Sequence, residues 1–200
     1  MRLPILCVVA ALIGTADVLA VSEDHLDRWK SPDGMFVVAE EFYGDGRRVN
    51  GVFINRRMGV KDPIYPDRGS DLGGARGLEV KWSANSRYFW LDADRSHAWE
   101  ETLVFYVTSD GKPRRVALPR KLTPEGLDDL VPANKRNRFG AWLSRANIAG
   151  KWRPGNRLTM EVGGAAHLLG DADSTDFERR YLVGFRRGKV AFVRLLPAAN

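Results

Sequence analysis

The stretch Val80-Lys81-Trp82-Ser83-Ala84-Asn85-Ser86-Arg87-Tyr88-Phe89-Trp90-Leu91-Asp92 decides the fold. It reads as strand, tight polar turn, strand. Ser and Asn side chains bond nearby backbone and so favour a reversal, while the aromatic run after the turn suits a pleated, buried surface. Two weaker copies flank it: Trp29-Lys30-Ser31-Pro32-Asp33-Gly34-Met35-Phe36-Val37-Val38 and Trp152-Arg153-Pro154-Gly155-Asn156-Arg157-Leu158-Thr159-Met160. Aligned on the turn, Ser31, Ser83 and Arg153 are equivalent, as are Gly34, Ser86 and Asn156, and Phe36, Tyr88 and Leu158. Each copy is a hairpin whose Trp is placed to pack on the returning strand.

Outward from these hairpins the chain keeps the same character. Met35 to Tyr43 pairs with Arg48 to Asn55 across Gly44-Asp45-Gly46. Residues 56–77, with scattered Pro and Gly and no apolar period, read as a long loop. Ala93 to Glu101 reads as a polar connector, and Thr102 to Thr108 is the most strand-like run. Ser109 to Lys112 turns it into Arg114 to Leu118. A helix is expected from Thr123, with Thr as N-cap, Pro124 in the first turn and Leu127 and Leu130 on one face. A second is expected over Arg138 to Arg145, where Phe139, Trp142 and Leu143 share a face. Strand character resumes at Ile148, breaks at Gly163-Gly164, and ends in a hairpin of Phe177 to Phe185 with Val190 to Leu195.

The expected fold is therefore all-β, mainly antiparallel hairpins in a propeller-blade-like or sandwich-like arrangement, with one or two short helices around 123–145. Residues 21–200 are expected to form a single β-rich domain, divisible into packed halves 31–118 and 146–196 joined by a short helical connector. The Trp-x-Ser-Pro-Asp-Gly-x-aromatic pattern around Ser31 to Gly34, and its variant Trp82 to Tyr88, resembles the blade motif of TolB-like and WD40-like secreted propellers. The layout is similar to small exported bacterial proteins of uncharacterised function that carry such hairpins. That resemblance implies blade-like sheets and brings no catalytic residues. The spacing departs from a propeller array: Ser31 to Ser83 is 52 residues and Ser83 to Arg153 is 70, against about 40–45 per blade.

The N-terminus carries Arg2, an uncharged apolar run from Leu3 to Gly14 and a small-residue stretch ending at Ala20, the three parts of a secretory signal peptide over residues 1–20. That run is too short to span a hydrocarbon core of about 30 Å, and no later apolar run approaches the length of a transmembrane helix. A periplasmic or secreted location is the expectation. Cys7 lies within the signal, so the mature chain has no disulfide, thiol nucleophile or cysteine metal ligand. Charge is uneven: residues 101–200 hold 18 Lys and Arg against 10 Asp and Glu, whereas residues 1–100 hold 13 against 15. A basic C-terminal half attracts anionic partners, and nucleic acid is not the expected one outside the cell.

The residue types that carry chemistry are sparse. His25, His97 and His167 show no metal-ligand spacing, and no Gly-x-Ser-x-Gly elbow is present. Asp92 and Asp94 share one side of a continuous strand; Asp171, Asp173 and Asp176 form an acidic loop without the rest of a calcium-loop pattern. No cofactor is expected. The candidate binding residues are Lys135, Arg136 and Arg138 with Trp142, and Arg186, Arg187 and Lys189, basic groups near aromatic side chains that suit an anionic polymer. The sequence thus points to an exported, non-catalytic binding or envelope-associated module whose partner is a protein or anionic envelope material. The alternatives are a carboxylate-dependent hydrolase using Asp92 and Asp94, and electrostatic adhesion through the basic C-terminal half.

Overall fold

A computed structural model describes residues 29–43, 48–65, 77–96, 99–170 and 173–197. Three four-stranded antiparallel meanders follow one another along the chain. The first contains β1 (Trp29–Lys30), β2 (Phe36–Tyr43), β3 (Arg48–Asn55) and β4 (Val60–Tyr65). The second contains β5 (Gly77–Trp82), β6 (Tyr88–Ser96), β7 (Trp99–Val107) and β8 (Pro113–Arg115). An insertion follows, made of 3-10 turns at Arg120–Leu122, Pro124–Leu130 and Ala133–Arg138 and a short strand, β9 (Phe139–Trp142). The third meander is β10 (Arg145–Arg153), β11 (Arg157–Leu168), β12 (Ser174–Arg186) and β13 (Lys189–Leu195). The all-β class is as the sequence predicts.

The first meander is a sheet of its own, whereas β7 and β10 pair to join the second and third into one nine-stranded sheet that folds back on itself. Strand β6 lies between the two packed interfaces. Tyr88, Phe89, Trp90 and Leu91 are all almost wholly buried, although successive side chains point to opposite faces. Phe89, Leu91 and Ala93 meet Phe36, Val38 and Phe53 of the first meander. Tyr88 and Trp90 meet Leu158, Met160, Val183 and Phe185 of the third, together with Leu122, Leu127 and Leu130 of the insertion. A strand covered on both faces loses the apolar–polar alternation and reads as a continuous apolar run. Phenylalanine rings step across the first interface, with centroids 5.5 Å apart for Phe36 and Phe53, 6.0 Å for Phe53 and Phe89 and 4.9 Å for Phe89 and Phe105.

The first two turns are built alike. Ser31 and Ser83 each accept the N–H of the residue five positions on, Phe36 and Tyr88, on the hydroxyl at 3.0 and 2.9 Å, and their own N–H groups donate to the Phe36 and Tyr88 carbonyls. Asp33 and Asn85 accept from Met35 and Arg87 N–H. Gly34, Ser86 and Asn156, the aligned trio, all adopt positive φ, at 71°, 57° and 54°. This backbone disfavours a Cβ; Ser86 holds it while its buried hydroxyl accepts the Asp33 N–H at 3.1 Å. The third turn lacks the serine, and Arg157 Nε instead donates to the Pro154 carbonyl at 2.7 Å.

Several local expectations change. Within 56–77, Val60–Tyr65 is β4, an edge strand where Pro63 is tolerated; residues 66–76 lie outside the described residues. The polar connector over 93–101 is strand except for residues 97–98, which are not described. Pro124–Leu130 is 3-10 rather than α, and Thr123 caps nothing: its hydroxyl donates to the Arg120 carbonyl. Phe139–Trp142, expected as helix, is β9, paired antiparallel with Ala166 to Leu168 of β11. Gly163 and Gly164 do not break β11. A Cβ on Gly164 would lie 2.2 Å from the Ser144 carbonyl, so these glycines permit close backbone crossing within a 12-residue strand.

Candidate functional site

The first strands of the meanders lie side by side and are laced by tryptophan. Trp82 Nε1 donates to the Trp29 carbonyl at 2.7 Å, and Trp152 Nε1 donates to the Lys81 carbonyl at 3.0 Å. Trp29 and Lys81 are equivalent positions in the turn alignment, as are Trp82 and Trp152, so one bond recurs between successive units. A partly buried indole normally finds such an acceptor. The lacing assembles a shallow concavity of about 470 Å³ lined by Trp29, Lys30, Pro32, Val80, Lys81, Trp82, Lys151 and Trp152. Lys30, Lys81 and Lys151 are exposed. Lys81 is shared with Glu79 at 2.6 Å and lies 5.0 Å over the Trp90 ring. Cations beside partly exposed indole faces suit a ligand with anionic groups and apolar ring faces.

The sequence-derived basic residues fall into two places. Lys135, Arg136, Arg138 and Trp142 stand at the Leu168 end of β11, and Arg186, Arg187 and Lys189 form the β12–β13 tip, beside the Arg157 end. Twelve residues of β11 separate the two groups, about 35 Å of extended strand. The first group is largely committed to its own backbone: Arg136 Nε donates to the Val131 carbonyl and Arg138 Nε to the Leu169 carbonyl. Trp142 Nε1 donates to Asp128 at 2.7 Å, and Arg145 lies 5.7 Å over its ring. The tip residues Arg186, Arg187 and Lys189 are exposed, and Gly188 N–H donates to the Tyr88 hydroxyl at 3.0 Å. Burial pushes the Tyr88 phenol up, although that N–H works against the shift. The tip adjoins the lysine concavity, since the Trp152 ring is 5.8 Å from Phe185.

The carboxylates behave differently from one another. Asp94 is exposed at the far part of β6, whereas Asp92 is largely buried where β7 meets β10. There β10 runs parallel to β7 only from Arg145↔Trp99 to Asn147↔Glu101. Beyond it the Asn147 side chain continues the ladder: Oδ1 accepts Thr102 N–H at 2.9 Å, and Nδ2 donates to the Thr102 carbonyl at 3.3 Å and the Leu122 carbonyl at 2.9 Å. The Thr102 hydroxyl accepts Ala149 N–H at 2.9 Å and donates to Asp92. Burial raises the Asp92 carboxyl to about 7, with Glu79 and Glu100 adding repulsion against the hydrogen bonds from Thr102 and Ala149. Asp92 is thus a member of a structural seam. Asp173 and Asp176 are exposed, as is His167; Asp171, His25, His97 and the expected signal peptide over residues 1–20 lie outside the described residues. No group of three or more His, Cys, Asp or Glu suited to a metal occurs among the described residues. No helix among them is long and apolar enough to cross a membrane.

The chain matches no protein-family model and no curated protein sequence. What sequence reasoning missed is the lysine set. Its signal was present as Trp29-Lys30, Lys81-Trp82 and Lys151-Trp152, one Trp–Lys pair ahead of each turn.

Proposed function

We propose that this protein is an exported, non-catalytic binding module of the cell envelope, in which blade-like meanders present a cationic, tryptophan-edged face to an anionic polymer. The observation that carries the reading is the convergence of Lys30, Lys81 and Lys151 with Trp82 and Trp152 on one concavity of about 470 Å³. The exposed tip residues Arg186, Arg187 and Lys189 extend the positive field beside it. Long-range attraction of this kind raises the encounter rate and is screened by salt. The periplasmic or secreted location rests on the Arg2 to Ala20 signal.

Titration with heparin and with polygalacturonate, two anionic polysaccharides with different backbones, tests it. Binding should weaken steeply between low and physiological salt. A Lys30→Gln/Lys81→Gln/Lys151→Gln variant should lose about tenfold or more, from roughly 0.5–1 kcal/mol for each exposed lysine–anion contact. Salt-independent binding, or full affinity in the triple variant, refutes this reading.

A further inference from the structure

A second groove, which shares no lining residue with the lysine concavity, opens where four turns of the first two meanders converge. It has a volume of about 530 Å³, within the range of roughly 300–1,000 Å³ common for ligand sites. One wall comes from the first meander: Met35 after the β1–β2 turn, and Arg57 and Met58 in the β3–β4 turn. The opposite wall comes from the second: Arg87 before β6, and Thr108 to Gly111 between β7 and β8. Met35 and Met58 are 41% and 58% exposed, large apolar side chains held at the surface.

The groove is built rather than incidental. Asn55, 5% exposed, forms its floor with Phe36. Its Oδ1 accepts the N–H groups of Arg57 and Met58 at 3.2 and 3.3 Å, and its Nδ2 donates to the Gly111 carbonyl at 3.2 Å. One amide therefore fixes both walls at a set separation. The fit is tight: a Cβ on Gly111 would lie 2.3 Å from Asn55 Nδ2. Arg56 N–H donates to the Met35 carbonyl at 3.0 Å, tying the two turns of the first wall together. A preformed groove spares the ordering cost that a flexible one must meet on binding.

Its chemistry is specific in one respect. A cation stands on each wall, Arg57 beside the methionines on one and Arg87 on the other. The acid on the lining, Asp110, accepts the Thr108 hydroxyl, which holds its carboxyl below the usual range and therefore ionised, and the nearby Lys112 and Arg114 offset that charge. A ligand complementary to this surface needs carboxylates that reach both walls and an apolar anchor for the methionine-bearing one. An extended peptide that alternates acidic and apolar residues has that pattern; a single-headgroup amphiphile does not. Arginine recognises carboxylates through paired N–H groups, and methionine adapts to varied apolar side chains. We infer that the groove between Met35, Arg57, Met58 and Arg87 docks an extended acidic–apolar peptide segment of a partner protein, at a site distinct from the polymer-binding lysine face.

The test uses the full mature chain and a fluorescein-labelled heptapeptide, Glu-Leu-Asp-Phe-Asp-Leu-Glu, with the same peptide carrying Lys at its acidic positions as control. The acidic peptide should bind in the micromolar range, and the basic one at least tenfold more weakly. Arg57→Glu/Arg87→Glu and, separately, Met58→Ser should each weaken binding at least fivefold with the circular dichroism spectrum unchanged. Lys30→Gln/Lys81→Gln/Lys151→Gln should leave peptide binding as it was, so this inference and the polymer reading fail separately. Equal binding of both peptides, or unchanged affinity in the groove variants, overturns it. So does loss of peptide binding in the lysine variant, or displacement of the peptide by decanoate monomers at matching concentration.

Discussion

Asp92→Asn should make the protein more stable at neutral and alkaline pH and should flatten its pH dependence. The carboxyl stands at about 7 in the folded chain against an ordinary value of 3.8. Between those values the native state binds a proton that the unfolded state has lost, so stability falls as pH rises across that window. The contribution is fully present below about pH 4 and is gone once the pH has passed about 7. At 1.36 kcal/mol for each decade, the interval corresponds to at most about 4 kcal/mol, with partial exposure of Asp92 lowering the realised figure. Asparagine keeps an oxygen for the Thr102 hydroxyl and titrates no proton. Urea denaturation of both proteins from pH 4.5 to 8.5 measures the difference directly. The stability gap in favour of the variant should widen by about 2–3 kcal/mol between the ends of that range. Parallel curves, with the gap constant to within about 0.5 kcal/mol, refute the assignment of a buried, charge-averse carboxyl to the β7–β10 seam.

Other consequences follow from the same geometry. Asn147→Leu removes the partner of Thr102 N–H and of the Thr102 and Leu122 carbonyls, and should cost about 3–5 kcal/mol in chemical denaturation, from roughly 1–3 kcal/mol for each buried group left unpaired. Ser83→Ala strips the acceptor from the Tyr88 N–H and should cost about 1–3 kcal/mol. Because the register of β6 depends on that turn, near-ultraviolet dichroism of the surrounding aromatic residues should report the change.

The hairpins were legible in the sequence because their information is local. The Ser83 and Asn85 side chains bond atoms within five residues, so the turn can be read without knowing its neighbours. The alignment of Gly34, Ser86 and Asn156 was also legible, and the structure gives all three positive φ. What escaped was set by distant contacts. Phe139 and Trp142 carry helical spacing, yet Phe139–Trp142 is a strand because the β11 edge at Ala166 to Leu168 supplies hydrogen bonds there. Val60 to Tyr65 hides behind charges and Pro63, as an edge strand with one covered end does. For the proposed binding face, charge density drew attention to Arg136 and Arg138, whereas Lys30, Lys81 and Lys151 are single residues far apart in sequence. Only the packing of the three first strands brings them together.

The tryptophan lacing couples the units strictly to their neighbours, Trp82 back to the first meander and Trp152 back to the second. Such a stack resembles a one-dimensional array, in which an end unit has one interface and the middle unit two. Tolerance to substitution should therefore be graded along the chain. Drift in the third turn, where arginine replaced the serine, disturbs a single interface. The same drift at Ser83 or along Tyr88 to Leu91 loosens both at once, so the second meander is where inherited variation should be thinnest.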